Sequence, residues 1–155
     1  MLNLKKIMYP TDFSRHSLAA LPFALDLACK YEAEMHCFHV VDVAYQYWMA
    51  GGDNAVPVVV SENEVWDSAQ SQMDEFIKEN LSDQNSVVVK LVSGRPFLEI
   101  IRYAQEENID LIVIATHGRG ALASMLMGSV TEKVVRKSTC PVLTVRHPEY
   151  KFEMP

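Results

Sequence analysis

Apolar positions along the chain switch between two spacings, and the switches mark out the elements. Lys5-Lys6-Ile7-Met8-Tyr9 has strand character and is ended by Pro10, after which Thr11-Asp12-Phe13-Ser14 carries turn and cap chemistry. Leu18, Leu21, Ala24, Leu25 and Ala28 recur at helical spacing, which predicts one helix from near Ser17 to Lys30 with Pro22 inside it. Met35 to Val41 is mostly apolar and reads as a buried strand. Asp42 to Ser61, with Gly51-Gly52-Asp53-Asn54 and Pro57, is the longest expected loop. Helical spacing returns over Glu62 to Asn80 through Val65, Ala69, Met73, Phe76 and Ile77.

The second half repeats the alternation. Val87 to Val92 is a third strand, and Ser93-Gly94-Arg95-Pro96 turns the chain, with Pro96 suited to the first helical position. Phe97, Ile100, Ile101 and Ala104 form the apolar face of the next helix. Leu111 to Ala115 is apolar throughout, as a central parallel strand covered on both faces should be. A helix over Val130 to Lys137 and an edge strand over Val142 to Val145 complete the order βαβαβαβαβ. That order argues for an α/β domain with a parallel sheet and right-handed crossovers.

Composition narrows the function classes. The 155 residues fit one domain, and 49% hydrophobic with 22% charged residues is ordinary for a globular chain. The formal charge of -6 argues against broad nucleic-acid binding, which depends on neutralising phosphates. No stretch reaches the roughly 18 to 20 apolar residues that cross a bilayer, so no membrane insertion is expected. Asp12, Arg15 and His16 interrupt any signal-like apolar run. Cys29, Cys37 and Cys140 are odd in number and lack CxxC spacing, which favours reduced thiols in a cytoplasmic setting.

Ligands of open parallel sheets bind beyond the carboxyl ends of the strands, where the strand order reverses. Two such ends carry suggestive residues: Tyr9-Pro10-Thr11-Asp12, and Ala115-Thr116-His117-Gly118-Arg119-Gly120. The second loop runs on through Met127-Gly128-Ser129-Val130-Thr131-Glu132 into a helix. Glycines let backbone N–H groups approach an anion, and the helix start favours negative charge. Ser129 and Thr131 add hydroxyls, and Arg119 adds a cation. The competing reading is structural: Ser129-x-x-Glu132 is a capping box that starts a helix without any ligand.

The wider pattern resembles the universal stress protein family. The resemblance rests on Pro10-Thr11-Asp12, on His117-Gly118-Arg119-Gly120, on Gly128-Ser129-Val130-Thr131-Glu132-Lys133-Val134, and on Cys140 to Arg146. It covers Lys6 to Arg146. It implies a Rossmann-like, adenine nucleotide α-hydrolase-like fold with a five-stranded sheet in the order 3-2-1-4-5. It places a nucleotide-binding domain over residues 1–146 and a tail over 147–155. The family's nucleotide-binding motif, G-x2-G-x9-G-(S/T), matches at Gly118, Gly128 and Ser129, with Ala115 in place of the first glycine.

By that resemblance Pro10, Thr11 and Asp12 border adenine and ribose, and Val40 meets adenine. Ala115 lies by the ribose, and Gly118, Arg119, Gly128, Ser129, Val130 and Thr131 hold the phosphates. The implied ligand is ATP, or ADP or AMP, with Mg²⁺ accompanying the phosphates. The implied role is a stress-response sensor or regulatory module, homodimeric through Val142 to Val145, with any hydrolysis slow and incidental. A weakened or vestigial site is the alternative, since a methyl group at Ala115 would crowd a ribose or phosphate. A slow nucleotide hydrolase using Asp12 is another.

Other chemistry is poorly supported. Cys37 and His39 share one strand face and His36 the other, without the further ligands that a metal needs. Neither a GxxxxGK[ST] run nor a G-x-S-x-G elbow occurs. His117 is the most tempting acid/base candidate by residue type, but nothing assembles around it as nucleophile, base and orienter; loop positioning by hydrogen bonding is its expected role.

Overall fold

The structure is a computed structural model and describes residues 2–42, 61–82, 84, 86–119 and 127–148. Five parallel strands form one sheet: β1 Lys6–Pro10, β2 Glu34–Val41, β3 Val87–Ser93, β4 Leu111–Ala115 and β5 Val142–Val145. Their spatial order is β3-β2-β1-β4-β5, as expected. The helices are α1 Arg15–Leu18, α2 Leu21–Tyr31, α3 Glu62–Asn80, α4 Pro96–Glu106 and α5 Ser129–Lys137.

Strand alternation divides the core in two. Ile7, Tyr9, Met35, Cys37, Val113 and Ala115 pack with Ala24 and Ala28 of α2 and with Met73 and Phe76 of α3. Met8, Phe38, Val40, Ile112 and Ile114 pack on the other face with Ile100 and Tyr103 of α4 and Val134 of α5. Of the five expected apolar positions of α3, Val65, Ala69, Met73 and Phe76 are buried and Ile77 is partly buried. That helix starts with a reciprocal capping box, in which Ser61 and Glu64 each accept the other's backbone N–H.

Two expectations need correction. The segment from Ser17 to Lys30 is not one helix. Ser14 caps the short α1 by accepting the Ser17 N–H, and the chain then turns at Ala19 and Ala20 before α2 starts at Leu21. Pro22 falls in the first turn of α2, where its missing N–H costs nothing. A continuous helix would have needed a Pro22 N–H bonded back to Leu18. The second correction is that Ser129 is not a helix cap: Gly128 holds that position, without any side-chain cap hydrogen bond. The loop expected over Asp42 to Ser61 lies mostly outside the described residues, as does the tail beyond Pro148.

β1 and β4 pair over only a short register, Ile7 with Leu111 and Met8 with Ile112. A carboxylate holds the lower end of this pair. Asp110 Oδ2 accepts the backbone N–H groups of Lys5 at 2.7 Å and Lys6 at 2.9 Å. Among the described residues no helix is long and apolar enough to cross a membrane. Cys29, Cys37 and Cys140 are all unbridged thiols.

Candidate functional site

A cavity of about 460 Å³ opens at the carboxyl ends of the strands, over the point where the order reverses between β1 and β4. All eleven expected site residues line it: Pro10, Thr11 and Asp12 after β1, Val40 near the end of β2, Ala115, Gly118 and Arg119 at β4, and Gly128, Ser129, Val130 and Thr131 at the start of α5. Phe38, Pro96, Ile100 and Ile114 extend the wall on its apolar side, and Ser17, His39, Asp42 and His117 add polar groups. The pattern of the sequence placed His117 in the candidate loop but missed the other seven. Their strand alternation and the turn at Pro96 were visible, but nothing local said which would border an opening.

The loop after β1 is wound by its own side chains. Asp12 Oδ1 accepts the Ser14 N–H at 3.0 Å, and Thr11 Oγ1 accepts the Phe13 N–H at 3.1 Å. Between them Phe13 takes φ +63°, a left-handed conformation uncommon for a bulky residue. The Ser17 hydroxyl donates to the Ser14 carbonyl, so Thr11 is the donor in its 3.1 Å bond to Ser17 Oγ.

Asp12 also reaches across the crevice, where its Oδ2 accepts the Arg119 N–H at 2.7 Å. Burial alone would raise its pKa. The hydrogen bonds from Ser14 and Arg119 outweigh that effect and hold the carboxyl below its ordinary value. Gly118 is required by this link, because a Cβ there would run into the Asp12 carboxylate.

The other end of the cavity is built from backbone donors. Gly128 N–H bonds to the Thr116 carbonyl at 2.7 Å and closes the neck of the loop between them. The first helical bond of α5 runs from Glu132 N–H to the Gly128 carbonyl at 2.9 Å. The N–H groups of Ser129, Val130 and Thr131 therefore precede the helical ladder, and the helix dipole adds partial positive charge there. Glu132, whose charge would repel an anion, instead pairs with Arg136 along the helix at 3.1 Å.

Two expected phosphate ligands have other occupations. Thr131 Oγ1 donates to the Ala115 carbonyl at 2.8 Å in a buried bond, which leaves its backbone N–H as its donor to the cavity. The Arg119 guanidinium bonds to Gln72 Oε1 of α3 at 3.0 Å. Ala115 meets the cavity, but its methyl group belongs to the cluster with Tyr9, Ala20 and Ala24, on the sheet face opposite Val40 and Ile114. That placement argues against the crowding expected of the methyl group.

The histidines are positioned by hydrogen bonds. His117 Nδ1 lies 2.9 Å from Thr116 Oγ1. His39 Nδ1–H donates to the Thr11 carbonyl at 2.7 Å, and its ring lies 4.2 Å from that of Phe13. Burial pushes His39 below the usual imidazole pKa, so it is neutral at pH 7. His36 joins Tyr103 and Glu34 on the other face. Among the described residues no three His, Cys, Asp or Glu side chains gather to hold a metal.

Comparison with known proteins agrees with this geometry. The model of the universal stress protein family matches residues 3–146. Universal stress protein MJ0577 of Methanocaldococcus jannaschii is 34% identical over 154 residues, covering 92% of this chain and 94% of its own. The solved structure of MJ0577 aligns with a TM-score of 0.78 at 32% identity, over 96% of this chain and 99% of that one. A universal stress protein solved in complex with cAMP has a TM-score of 0.67 at 21% identity, covering 93% and 98% of the two chains. One from Archaeoglobus fulgidus in complex with dAMP has 0.61 at 17%, covering 94% and 99%. At those last two identities the likeness is one of fold. Family model, identity and coverage together make this chain a member of the universal stress protein family.

Proposed function

We propose that the cavity binds an adenine nucleotide, with ATP as the ligand it suits best, and that the protein acts as a regulatory binding module. The observation that carries this reading is the uncapped start of α5: three N–H groups precede its helical ladder at one end of a cavity whose other wall is apolar. Phosphates sit at Gly118, Gly128, Ser129, Val130 and Thr131, with the Ser129 hydroxyl as a further donor. The base lies against Pro10 and Val40, and Asp12 takes a ribose hydroxyl on its remaining lone pairs. The complexes of two relatives with cAMP and dAMP support the choice of adenine.

Among the described residues no group of three His, Cys, Asp or Glu side chains offers a seat for a resident metal. Any Mg²⁺ enters on the phosphates. The functional unit spans residues 1–146, with 147–155 as a tail. The edge position of β5 and the exposure of its Leu143 support a homodimer formed through that strand, and unbridged cysteines support a cytoplasmic location.

The test is calorimetric titration of the folded protein with ATP, ADP and AMP, alongside extraction of nucleotide from the protein as purified. Saturable binding of at least one is expected. A folded protein that binds none of them rejects the reading.

A further inference from the structure

The sheet has two edges, and they are built differently. β5 is four uncharged residues, Val142–Val145. β3 is seven residues, Val87–Ser93, paired with β2 along its whole length and with no strand on its outer side among the described residues. Val87, Val88, Val89, Leu91 and Val92 give it strong strand character. An edge of this length and composition is a template for pairing with another chain, because half of its N–H and C=O groups face away from β2. Lys90 interrupts it at the middle residue.

Lys90 stands where the alternation calls for an apolar side chain. It pairs in register with Phe38, which is buried on the α4 face, and its neighbours on that face, Val88 and Val92, are half-buried. Lys90 itself is exposed, as is Val89 beside it. A two-fold axis that joins two copies into one continuous sheet keeps each face on its own side, so it sets one residue opposite its own copy. The register that pairs all seven residues of β3 is centred on Lys90. It sets Lys90 against Lys90 with Cβ atoms about 4.5–5.5 Å apart. Around that pair Val88 meets Val92 and Val89 meets Leu91. The next allowed registers, centred on Val89 or Leu91, give up two of the seven residue pairs and still bring both lysines onto one face.

We infer that Lys90 closes the β3 edge to a second copy of this chain and leaves β5 as the edge open to pairing. Like charges directly opposite each other on paired strands are destabilising, and both ammonium groups would also lose water. The consequence is a limit on assembly. A chain that paired through both edges would present a new free edge after every addition and grow without closing, whereas pairing through one edge stops at two copies. The inference concerns β3 alone, and it stands whether the protein is a single chain or a dimer through β5.

The experiment is the mass in solution, by light scattering at one protein concentration and low salt, of the wild type, Lys90→Thr, Lys90→Arg and Lys90→Glu, with thermal melting as a control on folding. Lys90→Thr should raise the mass about twofold or more: a single chain becomes a pair, and a β5 dimer becomes an open series. Lys90→Arg and Lys90→Glu keep like charges at the centre and should each keep the wild-type mass. An equal mixture of wild type and Lys90→Glu sets opposite charges against each other. It should be heavier than either component alone, with the gain lost at about 1 M salt. Lys78→Thr removes the same charge from the exposed face of α3 and should leave the mass unchanged. Should Lys90→Thr melt below the wild type, the mixture decides alone. Wild-type mass in folded Lys90→Thr, equal association in Lys78→Thr, or a mixture no heavier than its components overturns the inference.

Discussion

Asp12 and Arg119 are joined across the crevice by a 2.7 Å bond from a backbone N–H to a carboxylate oxygen. The residues are far apart in sequence, and each sits beyond the carboxyl end of a different central strand. The bond makes the two loops one wall, and it explains why glycine stands at position 118. Gly118→Val should abolish nucleotide binding, because its side chain displaces the Asp12 carboxylate. The loss of one charge-assisted bond should lower stability by only about 1.5–3 kcal/mol, which leaves a folded domain. Titration and urea melting together read both effects, and unchanged affinity would reject the loop as part of the site.

Ala115→Gly should leave affinity within about twofold of the wild type. The methyl group lies in the core cluster with Tyr9 and Ala24. Stability should fall by about 0.5–1 kcal/mol from the added backbone freedom of glycine in a strand. A large gain in affinity would show that the methyl group does obstruct the ligand.

Much of this could be read from the chain before any coordinates. The five strands and their order followed from apolar spacing and family resemblance, and Gly118 and Gly128 marked the site by their separation. What escaped was set by contacts between distant segments. Ser129-x-x-Glu132 and Ser61-x-x-Glu64 have the same pattern, yet only Ser61 caps its helix. At Ser129 the chain is bent back to Thr116 by the Gly128 N–H, and that moves the cap to the glycine. Nothing local distinguishes the two cases. The division of α1 from α2 had a local signal in Pro22, but its strength against a continuous apolar stripe was not legible.

Thr131→Val should destabilise the domain by about 1–3 kcal/mol, since it removes the donor to a buried carbonyl of Ala115 and leaves that oxygen unsatisfied. Urea unfolding measures it. A shift below a few tenths of a kcal/mol would mean that the carbonyl finds another donor. The backbone N–H at position 131 survives the change, so the part of binding that depends on it should survive too.

His39 gives the stability of the domain a dependence on pH. Burial is the main reason that its pKa is lowered; Arg119 adds to the lowering, while the Thr11 carbonyl and Asp12 act against it. In the unfolded chain the imidazole takes up its proton near the ordinary value of about 6.5. Its contribution to stability is therefore whole above that pH and declines as pH falls toward the depressed folded value. His39→Asn keeps a donor for the Thr11 carbonyl and removes the titration. Melting temperatures from pH 7.5 to 5 should fall more steeply for the wild type than for the variant. Parallel curves would reject the assignment.

Asp110 ties β4 to the start of β1, and Asp12 ties the end of β1 to the loop after β4. The central pair is thus pinned at both ends by carboxylates lent in opposite directions. A crevice with such a fixed base cannot widen by spreading its strands. Ligands of different bulk must be accommodated by the rim, so changes of specificity within this architecture should arise at lining residues such as Pro96, Ile100 and Val130 and leave the strand ends untouched.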